Sequence, residues 1–390
     1  MSDAAQRTAD PNRVPLLDIV SENRPFNAEL LAAIGEVLNT GRFLYGPPVQ
    51  QLEEAIATKC EVKHAIGCSS GSDALLVSLM ALDVGRGDEV ILPSFTFFAT
   101  ASCVWRLGAK VVFVDIDPAT FNLAPEQVEA AITPNTKAVI PVDLYGRCAD
   151  LTRLTEIAQK NGIHLVEDAA QSIGASHQDR PAGAWGTVGC FSFYPTKNLG
   201  ACGDAGIMTT SDDELAERLR LFGAHGMNPR YVHKVVGIAS RIDSIQAAAL
   251  CVKLKQLGRW TEMRRENALR YQQLFESASI DGEIVLPTDD PSGRHVWNQY
   301  TIRVPDGRRD ALRAHLAAES IGSEVYYPIP LHRQECFAEL GYSVGSLPET
   351  ERAANEVLSL PIFPGLTAGE QERVVDSVSR HLAGKRASAA

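Results

Sequence analysis

The sequence predicts an α/β protein: a large domain with a mostly parallel sheet flanked by helices, then a smaller C-terminal α+β domain. Three observations carry this reading. Short apolar, β-rich runs alternate with helical windows over about the first 250 residues, the pattern of a parallel sheet covered on both faces. The rhythm then gives way to one long helical stretch. Beyond it, a few strands and helices are separated by turn-rich sequence.

Taken in order, strands are expected at residues 64–67, 89–92, 110–114, 138–141 and 164–167, with helices at 73–82, 98–107, 125–132 and 151–161 between them. Two further strands, 188–193 and 205–210, are joined by the Gly-rich stretch 199–203, which leaves no room for a helix. A helical spine runs over 243–278, through IQAAALCVKLKQL and RRENALRYQQLF. After the turn-rich DGEIVLPTDDPSGR come strands at 299–303 and 322–327, and helices at 309–319, 350–358 and 368–381. The large domain is therefore assigned to residues 1–255, and the linking helix with the small domain to 256–390.

Composition narrows the function. Apolar residues at 45% and charged residues at 22% match globular averages and exclude a disordered or fibrous chain. Lys plus Arg number 37 against 48 Asp plus Glu, a net charge of −11. That balance opposes binding to nucleic acid or an anionic membrane surface, yet permits a locally basic pocket. No apolar run reaches the roughly 20 residues of a bilayer span, and MSDAAQRTADPNRVP lacks the apolar core of a signal peptide. The eight cysteines, at 60, 68, 103, 148, 190, 202, 251 and 336, form no C-x-x-C pair. They are read as reduced thiols of a cytoplasmic protein rather than as disulfides or a metal site.

Three segments carry the candidate chemistry. In HAIGCSSGSDALL, residues 64–76, a strand leads through Ser69, Ser70, Gly71 and Ser72 into a helix. The exposed backbone N–H groups there suit either an ordinary N-capped turn or a phosphate. In IHLVEDAAQSIGA, residues 163–175, a strand ends in Glu167 and Asp168 at the carboxyl edge of the sheet. A carboxylate at that edge is either a helix cap or the partner of a protonated ring nitrogen. In CFSFYPTKNLGACGDAG, residues 190–206, Lys197 lies on a loop among Pro195, Thr196 and three glycines. A lysine desolvated there becomes an amine nucleophile able to form a Schiff base. A phosphate cradle, a ring-nitrogen carboxylate and an imine-forming lysine together match the needs of pyridoxal phosphate.

On these segments the sequence resembles the DegT-type sugar aminotransferases, a branch of the fold-type-I pyridoxal phosphate enzymes. The resemblance runs through FLYGPPVQQLEEAIA, SSGSDAL, PSFTFFATASCV, VEDAAQSIGA, FSFYPTKNLG, QAAALCVKLKQL and YYPIPLHRQ. It implies that Lys197 is the Schiff-base lysine, Asp168 the pyridinium partner and Gln171 the contact to the ring's phenolic oxygen. It further implies that Phe97 stacks on the ring, while Gly71, Ser72 and Ser192 hold the phosphate. One departure is visible. Relatives read Gly-x-Asn-x-Arg before the Gln-Ala-Ala helix, with the Asn reaching the neighbouring subunit's phosphate. Here the segment is Gly237-Ile238-Ala239-Ser240-Arg241, leaving Ser240 or water to replace that contact.

The implied reaction is transfer of an amino group from an amino acid, usually glutamate, to a nucleotide-linked 3- or 4-keto sugar, UDP- or dTDP-linked, in a homodimer. Arg230, Lys234, Arg241 and His332 are the candidate cations for the substrate's phosphates, against an ordinary surface role for each. Two alternatives stand beside this. A sugar dehydratase of the same fold replaces the lysine with histidine, and a non-catalytic regulator tolerates loss of Lys197 or Asp168; both residues are present.

Overall fold

The computed structural model describes residues 12–278, 280 and 282–389, with side chains through residue 383. Nine strands build the larger part. They are β1 (His64–Cys68), β2 (Glu89–Pro93), β3 (Lys110–Val114), β4 (Thr136–Val139), β5 (His164–Asp168), β6 (Ser176–His177), β7 (Arg180–Pro181), β8 (Val188–Ser192) and β9 (Gly206–Thr210). Seven of them form one sheet in the order β1-β9-β8-β5-β4-β2-β3. Only β9 runs against its neighbours, antiparallel to both β1 and β8. The other six strands thus point the same way and end at one carboxyl edge.

Burial on both faces explains why these strands read as continuous apolar runs. Along β5, Leu165 packs with the Leu151–Asn161 helix, whereas Val166 faces the helices Gly71–Ala81 and Phe98–Arg106. Along β8 and β9, Cys190 and Met208 join that second face; Phe191 and Ile207 pack under the helices Pro47–Lys59 and Ser244–Leu254. Caps mark the helix starts: Ser70 Oγ accepts from Asp73 N at 3.1 Å, and Asp243 Oδ1 accepts from Gln246 N at 2.9 Å.

The C-terminal part contains β10 (Gly293–Arg294), β11 (Tyr300–Arg303) and β12 (Val357–Leu360), with β11 and β12 paired antiparallel. Its core joins Tyr271, Tyr300, Leu312, Leu316, Leu358 and Val374 to Phe95, Phe121 and Tyr145 from the first part. No helix among the described residues is long and apolar enough to cross a membrane.

Several elements differ from the sequence reading. The spine is two helices, Ser244–Leu254 and Leu257–Ser277, interrupted where Gln256 N donates back to Lys253 O at 2.8 Å. The strand expected at 138–141 begins two residues early, at Thr136. Residues 322–327 form no strand: Ile321 and Glu324 make single bridges to Val14 and Ser359, and Tyr326–Tyr327 packs its rings against the large domain. The helix expected at 350–358 is Pro348–Glu356, and the apolar Val357–Leu360 that follows is β12, all four residues buried. The helices Ile19–Asn23, Asn27–Thr40 and Asp213–Gly223, and the three-stranded sheet β10-β6-β7, have no counterpart in that reading.

Candidate active site

The site forms where the six co-directional strands end, the usual ligand edge of an open α/β sheet. Asp168 is the last residue of β5 and 5% exposed. Its Oδ2 accepts from Thr100 Oγ1 at 2.8 Å, and its Oδ1 from Ala170 N at 3.3 Å. Burial pushes its carboxyl above the usual range, while the Thr100 bond, the Ala170 N–H and the Lys197 charge pull it back down.

Lys197 follows β8 on a loop that doubles back tightly. Its N–H donates to Tyr194 O at 2.8 Å, and Ala201 N returns to Phe193 O at 2.8 Å. A Cβ on Gly200 would lie 2.4 Å from the Pro195 carbonyl oxygen, so only glycine permits this fold-back. The desolvated amine has its pKa lowered to about 8, with the Asp168 carboxylate acting in the opposite direction. Burial thus brings the titration of the amine far closer to neutrality than that of a solvated lysine, as an amine nucleophile requires.

The cradle assembles from three strand ends. Gly71, at the start of its helix, sits against Ser192 at the end of β8: an added Cβ would lie 2.6 Å from Ser192 Cβ. Gly206 opens β9 beneath the same turn, where a Cβ would meet Ser70 carbonyl atoms at 2.5 Å. Gly71, exposed Ser72 and Ser192 are thus gathered at one helix N-terminus, a place of unpaired N–H groups and positive dipole. With Lys197 and Asp168 beside it, this donor set fits pyridoxal phosphate.

Gln171 and Phe97 border the same region. Gln171 Oε1 accepts from Tyr145 N at 2.6 Å, and its Nε2 donates to Tyr327 Oη at 3.3 Å. Phe97 is 57% exposed, so it is no core aromatic, and its ring centroid lies 6.1 Å from that of Tyr327. Burial, and then the negative charge of Asp168, push the Tyr327 phenol well above its ordinary value. Thr100 and Tyr327 were absent from the sequence reading. Both meet their partners across long stretches of chain, Thr100 with Asp168 and Tyr327 with Gln171, which local spacing does not record.

Behind Asp168 lies a pair of fully buried carboxyls, Asp143 and Glu167. Asp143 accepts from Ala149 N at 3.0 Å and Ser172 Oγ at 2.8 Å; Glu167 accepts from Gly183 N at 2.6 Å and Trp185 N at 3.3 Å. Burial pushes both carboxyls up, and Asp143 further because Glu167 faces it. Desolvation thus holds both carboxyls toward the protonated form, Asp143 the more so because it faces Glu167.

The four candidate substrate cations are placed differently. Arg230 and Lys234 are exposed on the segment 225–241, with Arg230 stacked 4.9 Å from the Tyr231 ring. That segment folds back on itself through the bridges Met227–His233 and Ala224–Ala239. Arg241 lines a 420 Å³ cavity with Tyr45, Glu53, Arg220 and Asn228. His332 departs from the expectation: it is 2% exposed, its Nδ1 lies 2.7 Å from Ser94 Oγ and its Nε2 3.2 Å from Glu351. Burial lowers its pKa, so it is an internal strut rather than a free cation. Ser240 turns into its own chain, with Oγ 3.3 Å from Ser69 Oγ, while Ala239 is exposed.

The chain is similar to several known proteins. The chain is 50% identical over 374 residues to a pleiotropic regulatory protein of Geobacillus stearothermophilus, covering 95% of this chain and all of the relative. It is 44% identical to dTDP-3-amino-3,4,6-trideoxy-alpha-D-glucose transaminase of Streptomyces venezuelae, over 95% of this chain and 96% of that protein. The crystal structure of NtdA from Bacillus subtilis, with bound cofactor PMP, superposes with a TM-score of 0.88 at 33% identity, covering 95% and 86% of the two chains. The family model for DegT/DnrJ/EryC1/StrS aminotransferases matches residues 26–379, and the chain belongs to that pyridoxal phosphate-dependent family.

Proposed function

We propose that the protein is a pyridoxal phosphate-dependent aminotransferase that aminates a nucleotide-linked 3- or 4-keto sugar, taking nitrogen from an amino acid, glutamate in the first instance. The observation that carries this is an amine, Lys197, whose pKa burial lowers to about 8 even with the buried Asp168 carboxyl nearby. When bound, the cofactor supplies an imine-forming aldehyde and a ring that accepts electrons. In this reading Gly71, Ser72 and Ser192 hold its phosphate, Asp168 holds the proton on its ring nitrogen, and Gln171 and Phe97 orient the ring. The Lys197 Nζ amine would take the proton from the carbon bearing the donor's amino group and, in the second half of the exchange, would give a proton to the sugar carbon that receives the nitrogen. Arg230, Lys234 and Arg241 are assigned to substrate phosphates, some across a homodimer interface. Exposed Phe43, Tyr45, Tyr231 and Val236 support that assembly. A cytoplasmic location is part of the reading, supported by free Cys60, Cys68 and Cys103.

A second reading, a non-catalytic regulator, is favoured by the name of the Geobacillus relative. The retained Lys197 and Asp168 argue against it, and Lys197 likewise against a dehydratase. The deciding experiment loads the protein with pyridoxal phosphate, reduces it with borohydride and maps the labelled peptide. UDP- and dTDP-keto sugars are then offered with glutamate, and products are weighed by mass spectrometry. Label on Lys197 with an amino-sugar product supports the proposal. Label on another lysine, or no product from any sugar, removes it.

A further inference from the structure

We infer that Lys253 is a positioning residue for Lys197, acting through the carbonyl of Gly200. Lys253 lies on the Ser244–Leu254 helix, 3% exposed, and its Nζ donates to Gly200 O at 2.7 Å. Two turns earlier on the same helix, Gln246 Oε1 accepts from Cys202 N at 2.8 Å. Residues seven apart share a helix face, so one rigid face grips the returning limb of the Lys197 loop at two backbone points. From the other side, Asn198 Nδ2 donates to Val296 O at 2.9 Å.

The grip on Gly200 reaches Lys197 because the loop is closed so tightly. The missing Cβ of Gly200 lets that residue sit on the Pro195 carbonyl, and Lys197 N is bonded to Tyr194 O. Holding Gly200 therefore holds the turn from 194 to 200. Burial lowers the pKa of Lys253, and the neighbouring Cys202 and then Glu22 counteract this. A buried ammonium gives less stability than a well-packed apolar side chain in the same space, so its benefit is sought in geometry.

The role rests on Lys197 being the imine-forming amine, but its test needs no cofactor. Hydrogen–deuterium exchange on the apoprotein compares wild type, Lys253→Met and Lys253→Arg. Losing a charge-assisted bond to a loop predicts about ten- to a hundredfold faster exchange at residues 197–203 in Lys253→Met, and rescue in Lys253→Arg. In the loaded enzyme kcat should fall by a similar factor while the sugar KM stays within about twofold. Gln246→Ala cuts the companion contact and keeps the test open if Lys253→Met does not fold: faster exchange at 200–203 supports the role. Unchanged exchange in that loop, or a rise spread evenly over the chain, overturns it. Absence of cofactor binding by wild type would instead sink the assignment of Lys197 and leave the exchange result standing.

Discussion

Thr100 Oγ1 donates to Asp168 Oδ2 at 2.8 Å, joining the Phe98–Arg106 helix to the end of β5. The bond satisfies one oxygen of the buried carboxyl and offsets part of the upward push that desolvation gives its pKa.

Thr100→Val should therefore weaken the enzyme without unfolding it. The donor bond lowers the Asp168 pKa, so removing it raises that pKa and protonates the carboxylate at higher pH. The acid limb of the kcat/KM profile should move upward by about one unit, as expected for loss of one charge-assisted bond. An unmoved acid limb would show that Asp168 ionisation does not limit the reaction.

Lys197 contributes a stability prediction of the opposite sign to the usual salt bridge. Its folded pKa, about 8, lies below its ordinary 10.5, so between these values the unfolded chain binds more protons. Stability then rises with pH through that window, and below it the buried ammonium destabilises the fold. The apoprotein of Lys197→Met should be more stable than wild type at pH 7, by at most ~3 kcal/mol. The difference should shrink from pH 8 to 10. Urea unfolding at several pH values measures it, and equal stability at pH 7 would refute the desolvated state of the amine.

Much of this site was legible in the sequence because its parts lie at strand ends, where burial leaves a clear apolar signature. The segments ending in Asp168 and preceding Lys197 needed only a parallel sheet to bring them to one edge. What stayed hidden came from distant chain. Tyr327 reaches Gln171 across 156 positions, and Ser94 meets His332 across 238; no local period records such pairings. β12 was hidden for another reason. Its four buried residues follow directly on the Pro348–Glu356 helix, and a short apolar run is ambiguous between helix and strand. Asp143 reads as an ordinary polar residue until the fold removes its water and sets it against Glu167.

That carboxyl pair makes Asp143→Asn an informative change. Asp143 has its folded pKa raised by burial and by Glu167, so the folded state binds the extra proton and loses stability as pH climbs. An asparagine mimics the protonated member and can still accept from Ala149 N while donating toward Glu167. Thermal stability of the variant should match or exceed wild type at pH 8 and vary less between pH 5 and 8. Asp143→Ala, which strips partners from Ala149 N and Ser172, should lower stability by about 3 kcal/mol. A wild-type curve as flat as that of Asp143→Asn would mean that Asp143 takes up no proton in that range.

The last prediction concerns a site built from two chains. The segment 225–241 closes on itself through the Ala224–Ala239 bridge, yet its tip stays outside, with Tyr231 75% and Val236 90% exposed. Such apolar exposure beside a cavity lined by Arg241 is unfavourable in water and is relieved when a second copy covers it. Ser240 is already engaged with Ser69 of its own chain, and Ala239 offers no polar side chain. Arg241 is thus the residue of this stretch best suited to reach a neighbour's phosphates. Lys197→Ala and Arg241→Ala parents should each be nearly inactive, whereas mixed and re-associated chains should regain about a quarter of wild-type activity. That fraction follows from random pairing: half of the dimers are hybrids, and each hybrid carries one intact site of two, by the symmetry of a twofold assembly. Cofactor should also dissociate on dilution more readily than from Ala239→Asn, which restores the family's side chain at that position. Verified hybrids without recovered activity would confine the site to one chain, as would full activity in a monomer.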